Sequence, residues 1–576
     1  MKRKAEPGAV KAGKATKLLT NDSPNKAKES SNAVPDVKRS RKEVKSSKLA
    51  KRKKNYSLVQ DAIAKWEVAR RRDVGTEQRA ELVTQLLQQV QGHLAELAAS
   101  HTGSRIVQAC VKFGSSEQRR GMLKELSPAF LELAKSPYGH FVASKLVSTA
   151  SAAELAGLLR LVQGQVPHLL RHPCAAAVVD ELYDRSSGAQ RNALAAEFFG
   201  KEYVLFAQDK APDSLAAVLQ EADAKKQHAV IQRLAIHLLP IMEKGLLDPV
   251  LSHRLIAEYL QAAPRSAVAE AVETLAGPAL LRMVHTRHGA LVACQVLAFG
   301  TAKDRKKAVK AMKGHVHTMM EDEWAHVSLL SALTHVDDTA LLAKTLLPAI
   351  MEHMAEAAVH RYARRVLLQL LAPDCSRYLP PHLHAFLHPS QPAPAQSNGG
   401  EVAALGVSKK GQDVRRAELL GSGPKSLAAA LASACNDRAG AWLRSPTACD
   451  VVVEVARGGS GGLLYSADAE GVAALHTAIV ADLVGVAPSP SAGEPDEAGG
   501  EEGMGGEAAR VFTSLLWRDA LQGRCEGLLG THAKKVLAAV AHCADAPVRQ
   551  EAAAELGGLI SQPLSQWAAA LLGKKR

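Results

Sequence analysis

Apolar side chains recur at helical spacing along most of the chain from about Tyr56 onward. Residues three, four and seven apart share one face of a helix, so this spacing predicts amphipathic helices. The first two stretches carry their apolar residues at Leu82, Val83, Leu86, Leu87 and Val90, and then at Ile106, Val107, Cys110 and Val111. Prolines at 128, 137, 167 and 173 fall between helical stretches, where the chain has to break.

The helical pattern repeats with a period of 36 residues. Ser115, Ser151 and Ser187 each begin an S-x-x-[EQ] motif, which predicts a capping box at a helix N-terminus. The stretches GSRIVQ, GHFVAS and AAAVVD begin at residues 103, 139 and 175, and thus keep the same period. SHRLIA, GALVAC, AHVSLL and ARRVLL continue the frame from residues 252, 289, 325 and 363. Helical units at such a period predict a solenoid, in which each unit packs on its neighbours.

Composition supports an all-α fold, because aromatic residues make up 4% of the chain and Ala and Leu dominate its 47% of apolar residues. The eight cysteines form no C-x-x-C pair, which indicates buried thiols in a reducing compartment. The N-terminus is charged throughout and no run of 18 apolar residues occurs, so we expect neither secretion nor a membrane span.

The basic excess is concentrated in the first 54 residues, which hold 18 Lys and Arg against 5 Asp and Glu. Such a segment has too few apolar side chains to fold and is predicted to be a disordered tail. It contains two basic clusters with the spacing of a bipartite nuclear import signal, namely Lys38, Arg39, Arg41 and Lys42, followed by Lys51, Arg52, Lys53 and Lys54. The same charges would attract a phosphate backbone without sequence preference.

Polar segments rich in Pro and Gly divide the rest of the chain. We predict N-terminal repeats over 55–230, middle repeats over 231–388, a linker over 389–412 and further helical repeats over 413–576. Residues 489–507 carry six acidic side chains and are predicted to be a disordered loop within the last region.

The P-loop and H-E-x-x-H motifs of catalytic sites are absent from the sequence, and its titratable residues are distributed along the chain. We therefore predict that the protein is not an enzyme and uses no cofactor. His382, His384 and His388 have the spacing H-x-H-x3-H, but no cysteine or convincing carboxylate set lies nearby in sequence. An incomplete ligand set predicts no metal site.

The repeat resembles the pumilio type, in which a 36-residue helical unit presents one helix to RNA. More specifically, the stretches HTGSRIVQACVKFGSSEQRR, LAKSPYGHFV and VHTRHGALVACQVLAFGTAKDRK resemble the nucleolar penguin/Puf-A branch of that family. The resemblance implies an alpha-alpha superhelix, armadillo-like and bent, of about eleven repeats with a C-terminal penguin-like region. It also implies binding of RNA, or of double-stranded nucleic acid, through basic surfaces without strong sequence preference.

The resemblance further implies work in the nucleus and nucleolus, on pre-rRNA of the large ribosomal subunit beside pre-ribosomal proteins, and in translational regulation of mRNA. We expect a monomer. In this family the first and fifth reader positions of the inner helix contact a base edge, and the second stacks between bases. The candidate RNA contacts, taken from these positions and from basic residues in the same frame, are Ser104, Arg105, Gln108, His140, Phe141, Ser144, His253, Arg254, Arg287, His288, His326, Arg364, Arg365, Lys534 and Lys535. The third unit offers Ala176, Ala177 and Asp180, which neither stack well nor tolerate a phosphate.

An alternative from another class of protein is a protein-binding scaffold of the armadillo or HEAT kind. Those repeats also stack helix pairs, but with periods near 40–47 residues. The period of 36 residues and the Ser104, Arg105 and Gln108 triplet favour the RNA-binding interpretation.

Overall fold

The computed structural model describes residues 56–205, 211–392, 405–484, 513–514, 516–529, 534–543 and 545–572. The predicted tail with its import signal, residues 393–404 of the predicted linker and the acidic loop over 489–507 lie outside these ranges. All regular secondary structure within the described ranges is helical, which confirms the predicted all-α class. None of the described helices is both long enough and apolar enough to cross a membrane.

The described helices are named here in chain order. The first group is α1 Tyr56–Ala69, α2 Thr76–Val90, α3 Leu94–Ala98, α4 His101–Phe113, α5 Ser116–Leu126, α6 Phe130–Lys135, α7 Gly139–Thr149, α8 Ala152–Val162, α9 Val166–Leu170, α10 Ala175–Arg185, α11 Gly188–Ala196, α12 Lys201–Leu205 and α13 Leu215–Glu221. The second group is α14 Ala224–Glu243, α15 Val250–Ala262, α16 Arg265–Leu275, α17 Pro278–Leu281, α18 Arg287–Phe299, α19 Ala302–Met312, α20 Val316–Glu321, α21 Ala325–His335, α22 Thr339–Thr345, α23 Leu347–Glu352, α24 Met354–Val359, α25 Arg364–Leu371 and α26 Pro381–Leu387. The third group is α27 Gln412–Leu420, α28 Leu427–Asp437, α29 Ala439–Leu443, α30 Ala448–Ala456, α31 Leu463–Val484, α32 Cys525–Leu529, α33 Lys534–Val540, α34 Ala546–Gly557 and α35 Leu564–Leu572.

The predicted capping boxes are present at all three serines. In each, the Ser115, Ser151 or Ser187 hydroxyl accepts from the backbone N–H three residues on, and the Gln or Glu there accepts from the serine N–H. Thr301 forms the same arrangement with Asp304 at the start of α19, and Asp338 caps α22. Each box satisfies two backbone groups that a helix end leaves unpaired, so the repeated motif fixes where the outer helices begin.

Close steric contacts require the glycine found near the start of three inner helices. A Cβ atom there would overlap a carbonyl oxygen of the short helix or turn before it, for Gly103 with Leu97, for Gly139 with Leu133 and for Gly289 with Met283. The backbone N–H of each glycine donates to a hydroxyl three residues earlier, on Ser100, Ser136 and Thr286 respectively. The glycine therefore lets the inner helix begin in close contact with the preceding turn.

The inner helices form one continuous row. In order they are α4, α7, α10, α15, α18, α21, α25 and α30, and each packs on the next. An apolar core extends along this row from Phe130 to Ile479, while the described C-terminal helices bury another cluster from Val480 to Ala568. Side-by-side packing of one helix per unit is the solenoid that the sequence period predicts.

Two features of the middle of the chain differ from the predicted organisation. The domain boundary predicted between residues 230 and 231 falls inside α14, a continuous helix of 20 residues. Helix α26 packs on both α18 and α21. With it in place, every residue of α18 from Gly289 to Phe299 is buried, and so are the residues of α21 from Ala325 to Thr334.

Candidate nucleic-acid interface

The first two inner helices present aromatic and cationic side chains to solvent. His101 and Arg105 lie one turn apart on α4 and are exposed, and Tyr138 and Phe141 are exposed at the start of α7. The His101 and Tyr138 rings meet edge to face with their centroids 5.3 Å apart. These four residues are called the N-terminal platform below. An exposed aromatic ring forgoes hydrophobic burial, and Phe141 remains 53% exposed.

The predicted reader triplet of the first unit is only partly on this surface. Ser104 is 2% exposed, and its hydroxyl donates to the His101 carbonyl oxygen. The prediction that Ser104 contacts a base edge is therefore wrong in this structure, because the side chain faces the core side of α4. Arg105 is exposed and Gln108 is half-buried, so both remain candidates. The solvent-facing positions of α4 are His101, Arg105, Gln108 and Lys112.

The second unit keeps its stacking residue. The His140 ring lies 3.8 Å from the Phe141 ring, and its Nδ1 is 2.9 Å from the Ser136 carbonyl oxygen. His140 thus buttresses Phe141 from one side. Ser144 is half-buried one turn further along α7. A base can therefore stack on Phe141 without any rearrangement of the helix. The base-edge contacts predicted for His140 and Ser144 remain predictions.

The third inner helix interrupts this surface with acidic groups. Asp180 accepts a hydrogen bond from the backbone N–H of Val250 at 2.8 Å, and so caps the N-terminus of α15 from the preceding unit. Burial raises the pKa of the Asp180 carboxyl, and the nearby carboxylates of Asp184 and Glu181 act in the same direction. Such a surface repels a phosphate backbone, as the sequence predicts for this unit.

His253 does not face a ligand. Its side chain has no exposed surface, and its ring nitrogens lie 2.8 Å from Thr286 Oγ1 and 2.6 Å from the Leu247 carbonyl oxygen. Burial lowers the pKa of His253 to about 4, so the ring is neutral at physiological pH. The prediction of an RNA contact at His253 is therefore wrong, since polar partners inside the fold satisfy both nitrogens.

Arg254 joins two successive units instead of contacting a ligand. Its guanidinium donates to Glu258 Oε1 at 2.8 Å, to Asn192 Oδ1 at 2.9 Å and to the Asp213 carbonyl oxygen at 2.7 Å. The residue is 7% exposed. The prediction of an RNA contact at Arg254 is wrong, because the side chain is buried and each of its three guanidinium nitrogens already donates to an acceptor inside the fold.

Arg287 and His288 lie where α26 covers the inner row. The Arg287 guanidinium lies over the Phe386 ring, 5.4 Å from its centroid, and remains exposed at its edge. Burial lowers the pKa of the half-buried His288 to about 4, and the Arg287 and Arg254 charges lower it further. Arg287 can still contact a phosphate, whereas a neutral His288 adds no charge to that contact.

His326 and Arg365 form an internal pair on α21 and α25. His326 has no exposed surface, and its ring nitrogens lie 3.0 Å from the Asp322 carbonyl oxygen and 3.3 Å from Arg365 Nη1. Burial lowers the pKa of His326 to about 4. The prediction of an RNA contact at His326 is therefore wrong. Arg365 is half-buried with its guanidinium near the Tyr362 ring, and stays a prediction.

Arg364 is held by a carboxylate of the next inner helix. Its Nη1 lies 2.5 Å from Asp450 Oδ2 and 3.0 Å from the Thr447 carbonyl oxygen. Asp450 also pairs with Arg377 at 3.1 Å, so two arginines share one carboxylate, and the phosphate contact of Arg364 stays a prediction. Lys534 is half-buried on α33 and stays a prediction, while the side chain of Lys535 lies outside the described residues.

The three histidines near α26 acquire a carboxylate neighbour that the sequence spacing does not reveal. Asp374 pairs with His388, whose Nε2 lies 3.1 Å from Asp374 Oδ1, and His384 completes a group whose ligand atoms are within 4.8 Å of one another. Gln369 and Gln412 also donate to Asp374. The existing ion pair and hydrogen bonds account for this cluster. His382 is exposed and is not part of the group.

Comparison with known proteins places these features in a family. Residues 75–141 match the NOP9-like PUF repeat domain, and residues 359–483 match the CPL (NUC119) domain. Pumilio homolog 24 of Arabidopsis thaliana is 32% identical over 573 residues, which cover 90% of this chain and 87% of the relative. The chain belongs to the pumilio-repeat family of RNA-binding proteins. Within that family it resembles the penguin/Puf-A branch, as its sequence predicts.

Other pumilio proteins show similarity over most of this chain. Human Pumilio homolog 3 is 30% identical over 73% of this chain, which spans 62% of that relative. The crystal structure of human Puf-A in complex with DNA matches 91% of this chain and 100% of the Puf-A chain, with a TM-score of 0.69 and 26% identity. This pumilio solenoid therefore shares the architecture of Puf-A and carries a CPL domain.

The residues that sequence reasoning missed lie just outside the five reader positions. Tyr138 precedes α7 and His101 begins α4, so neither falls in the expected frame. For Tyr138, the signal that could have found it is the rarity of Phe, Trp and Tyr in this chain, at 4%. A scarce aromatic residue next to a turn glycine is worth testing as a stacking group.

Proposed function

We propose that this pumilio-repeat protein binds single-stranded RNA largely without sequence preference, through the N-terminal platform. The observation that carries the proposal is the exposure of Tyr138 and Phe141 beside the Arg105 cation on adjacent inner helices. Aromatic rings stack on any base and a guanidinium contacts any phosphate, so this combination binds without reading sequence. The DNA complex of human Puf-A supports nucleic-acid binding by this architecture.

Limited sequence preference follows because most of the reader positions are buried or engaged inside the fold. Ser104, His253 and His326 are buried, and Asp180 caps a helix. A modular base code needs an edge-reading pair in each successive unit. With most of those pairs turned inward, stacking and charge supply most of the binding free energy.

We further propose that the protein acts in assembly of the large ribosomal subunit, in pre-rRNA processing in the nucleolus beside pre-ribosomal proteins, and in translational regulation of mRNA. Its resemblance to the nucleolar penguin/Puf-A branch supports this role. The basic tail, with its paired clusters within residues 38–54, supports import into the nucleus.

The test is equilibrium binding of the full chain to unstructured RNAs of different base composition. Replacing Tyr138→Ala and Phe141→Ala together should weaken binding by about 1–3 kcal/mol for each stacked base, and by similar amounts for every RNA. Val414→Ala is the control, since Val414 is 52% exposed on α27 outside the platform. Equal affinity of the platform variant and the control would refute the site. The absence of RNA binding by the wild type would favour a protein-binding scaffold.

A further inference from the structure

Four basic side chains converge outside the inner row. His168 lies on α9 and Arg171 follows its C-terminus, while Arg233 and His237 lie one turn apart on α14. The His168 and His237 rings meet edge to face with centroids 6.5 Å apart, and Arg171 Nη2 lies 3.1 Å from His168 Nδ1. These residues are called the basic cluster below.

No carboxylate among the described residues forms an ion pair or a hydrogen bond with the basic cluster. Burial lowers the pKa of His237 to about 4, and the charges of Arg171, Arg233 and His168 lower it further, with no acidic group acting in the opposite direction. The charged groups that act on His237 are therefore all basic, while the Phe198 ring packs against it edge to face with the centroids 5.7 Å apart.

Two nitrogen atoms of the basic cluster lack a hydrogen-bond partner. Arg233 Nε and His237 Nδ1 are both shielded from solvent and unpaired. A buried donor left without an acceptor costs roughly 1–3 kcal/mol, and most such groups in folded proteins have a partner. Arg233 Nε is such a donor, whereas the His237 ring is neutral at physiological pH and its Nδ1 is a donor in one tautomer only. The Arg233 Nε therefore lacks an acceptor within the described chain, which a bound anion would provide.

We infer that the basic cluster binds a phosphate group of a nucleic-acid backbone. The inference rests on the proposed function, and it adds a defined phosphate site outside the N-terminal platform. Arg171 and Arg233 carry the permanent positive charges of the cluster, and their two guanidinium groups together offer more N–H donors than the two oxygens of one carboxylate accept. A phosphate accepts on several oxygens at once, and arginine contacts it with two parallel hydrogen bonds.

The location fits a strand that leaves the inner row. Asp180, Glu181 and Asp184 make α10 unfavourable for a phosphate backbone. Arg171 directly precedes that helix, in the turn between α9 and α10. A nucleic-acid backbone held at the basic cluster would leave the inner row before it reaches these three carboxylates.

The variant that tests the inference is Arg171→Gln with Arg233→Gln in the full chain. Its matched control is Arg160→Gln with Lys225→Gln, which removes the same two charges from exposed positions on α8 and α14. Binding to oligouridylate is measured over a range of salt. Two lost phosphate contacts should reduce the slope of log affinity against log salt by about 1.4, because each contact on a single strand contributes about 0.7. The control should leave the slope unchanged within error.

A second measurement separates the sources of phosphate. Inorganic phosphate, at ionic strength matched with chloride, should raise the Tm of the wild type and of the control but not that of the cluster variant. Stabilisation by phosphate with an unchanged RNA slope would overturn the nucleic-acid assignment in favour of a free phosphate site. Polyglutamate that competes as strongly as RNA would overturn it in favour of an acidic peptide.

The failures of the two proposals are distinguishable. If the wild type binds no RNA, the proposed function fails, and a cluster-dependent Tm shift would then assign the site to free phosphate. If RNA binds and the cluster variant and its control lose affinity equally, the inference alone fails. Arg171→Lys controls for a folding defect, because lysine keeps the positive charge but lacks the planar guanidinium. This variant should lose part of the RNA affinity while its Tm stays that of the wild type.

Discussion

The guanidinium of Arg287 lies 5.4 Å from the centroid of the Phe386 ring, and this contact joins the inner row to a helix that covers it. Phe386 belongs to α26, which packs on α18 and α21. The inner-helix residues beneath, including Leu291 and Leu330, are buried. The middle of the inner row is therefore occupied by the chain itself, and the open part lies in the first units.

A pair of phenylalanine substitutions tests this division. Phe386→Ala should lower the free energy of unfolding by about 3 kcal/mol, because Phe386 is 6% exposed and its loss leaves a cavity. RNA affinity should not change. Phe141→Ala should do the opposite, with stability within about 0.5 kcal/mol of wild type and weakened RNA binding. Chemical denaturation and fluorescence anisotropy measure the two quantities. A loss of RNA affinity in Phe386→Ala would show that the covered face takes part in binding.

The glycine at the start of α18 gives a second prediction, about stability alone. Gly289→Ala places a Cβ onto the Met283 carbonyl oxygen, so we expect a loss of about 3 kcal/mol as the turn is pushed away. Gly121→Ala is the matched control, because nothing lies within 4 Å of its added Cβ on α5. That substitution should stabilise the protein by about 0.5–1 kcal/mol through helix propensity. Equal effects of the two substitutions in urea denaturation would contradict the steric explanation.

The sequence predicts the repeat because its signals are local. Ser151 and Glu154 sit three residues apart, and a capping box needs no contact beyond that turn. The 36-residue period likewise reports on packing between neighbouring units. These signals placed the inner helices correctly at ranges such as Gly139–Thr149 and Ala325–His335.

The sequence fails where long-range contacts decide the environment of a side chain. Covering of Leu330 by α26 depends on residues some 50 positions away, and no local pattern encodes it. The polar residue His253 looks like a surface group until Leu247 and Thr286 are seen to satisfy its ring. Ser104 and Arg105 are neighbours, so a small error in the assumed orientation of α4 exchanges a buried hydroxyl for an exposed one.

The basic tail gives a third prediction, which separates import from attraction to RNA. Replacing the eight Lys and Arg of the two clusters within residues 38–54 by Gln should abolish nuclear accumulation of a tagged protein. The control replaces the eight Lys and Arg before residue 30 and removes the same charge. Both variants should bind RNA more weakly, because the charge acts without a defined site. Nuclear accumulation that persists in the cluster variant would refute the import signal.

Buried histidines make the stability of the solenoid depend on pH. Burial lowers the folded-state pKa of His253 and of His326 to about 4, whereas an unfolded histidine titrates near 6.5. The unfolded chain therefore binds more protons between these values, and stability that is present above pH ~6.5 is lost as the pH falls toward ~4. Each such histidine should account for about 2 kcal/mol of that loss by pH ~5.

His253→Gln tests this dependence on one residue. Above pH ~7 the variant should be less stable than wild type, because Gln only partly replaces the hydrogen bonds to Thr286 and Leu247. The gap should narrow by about 2 kcal/mol as the pH falls to ~5, since the variant no longer has to exclude a proton. His382→Gln, at an exposed position on α26, should change stability by less than about 0.5 kcal/mol throughout. Urea denaturation at each pH measures the gap, and a gap that stays constant would show that His253 does not carry the acid sensitivity.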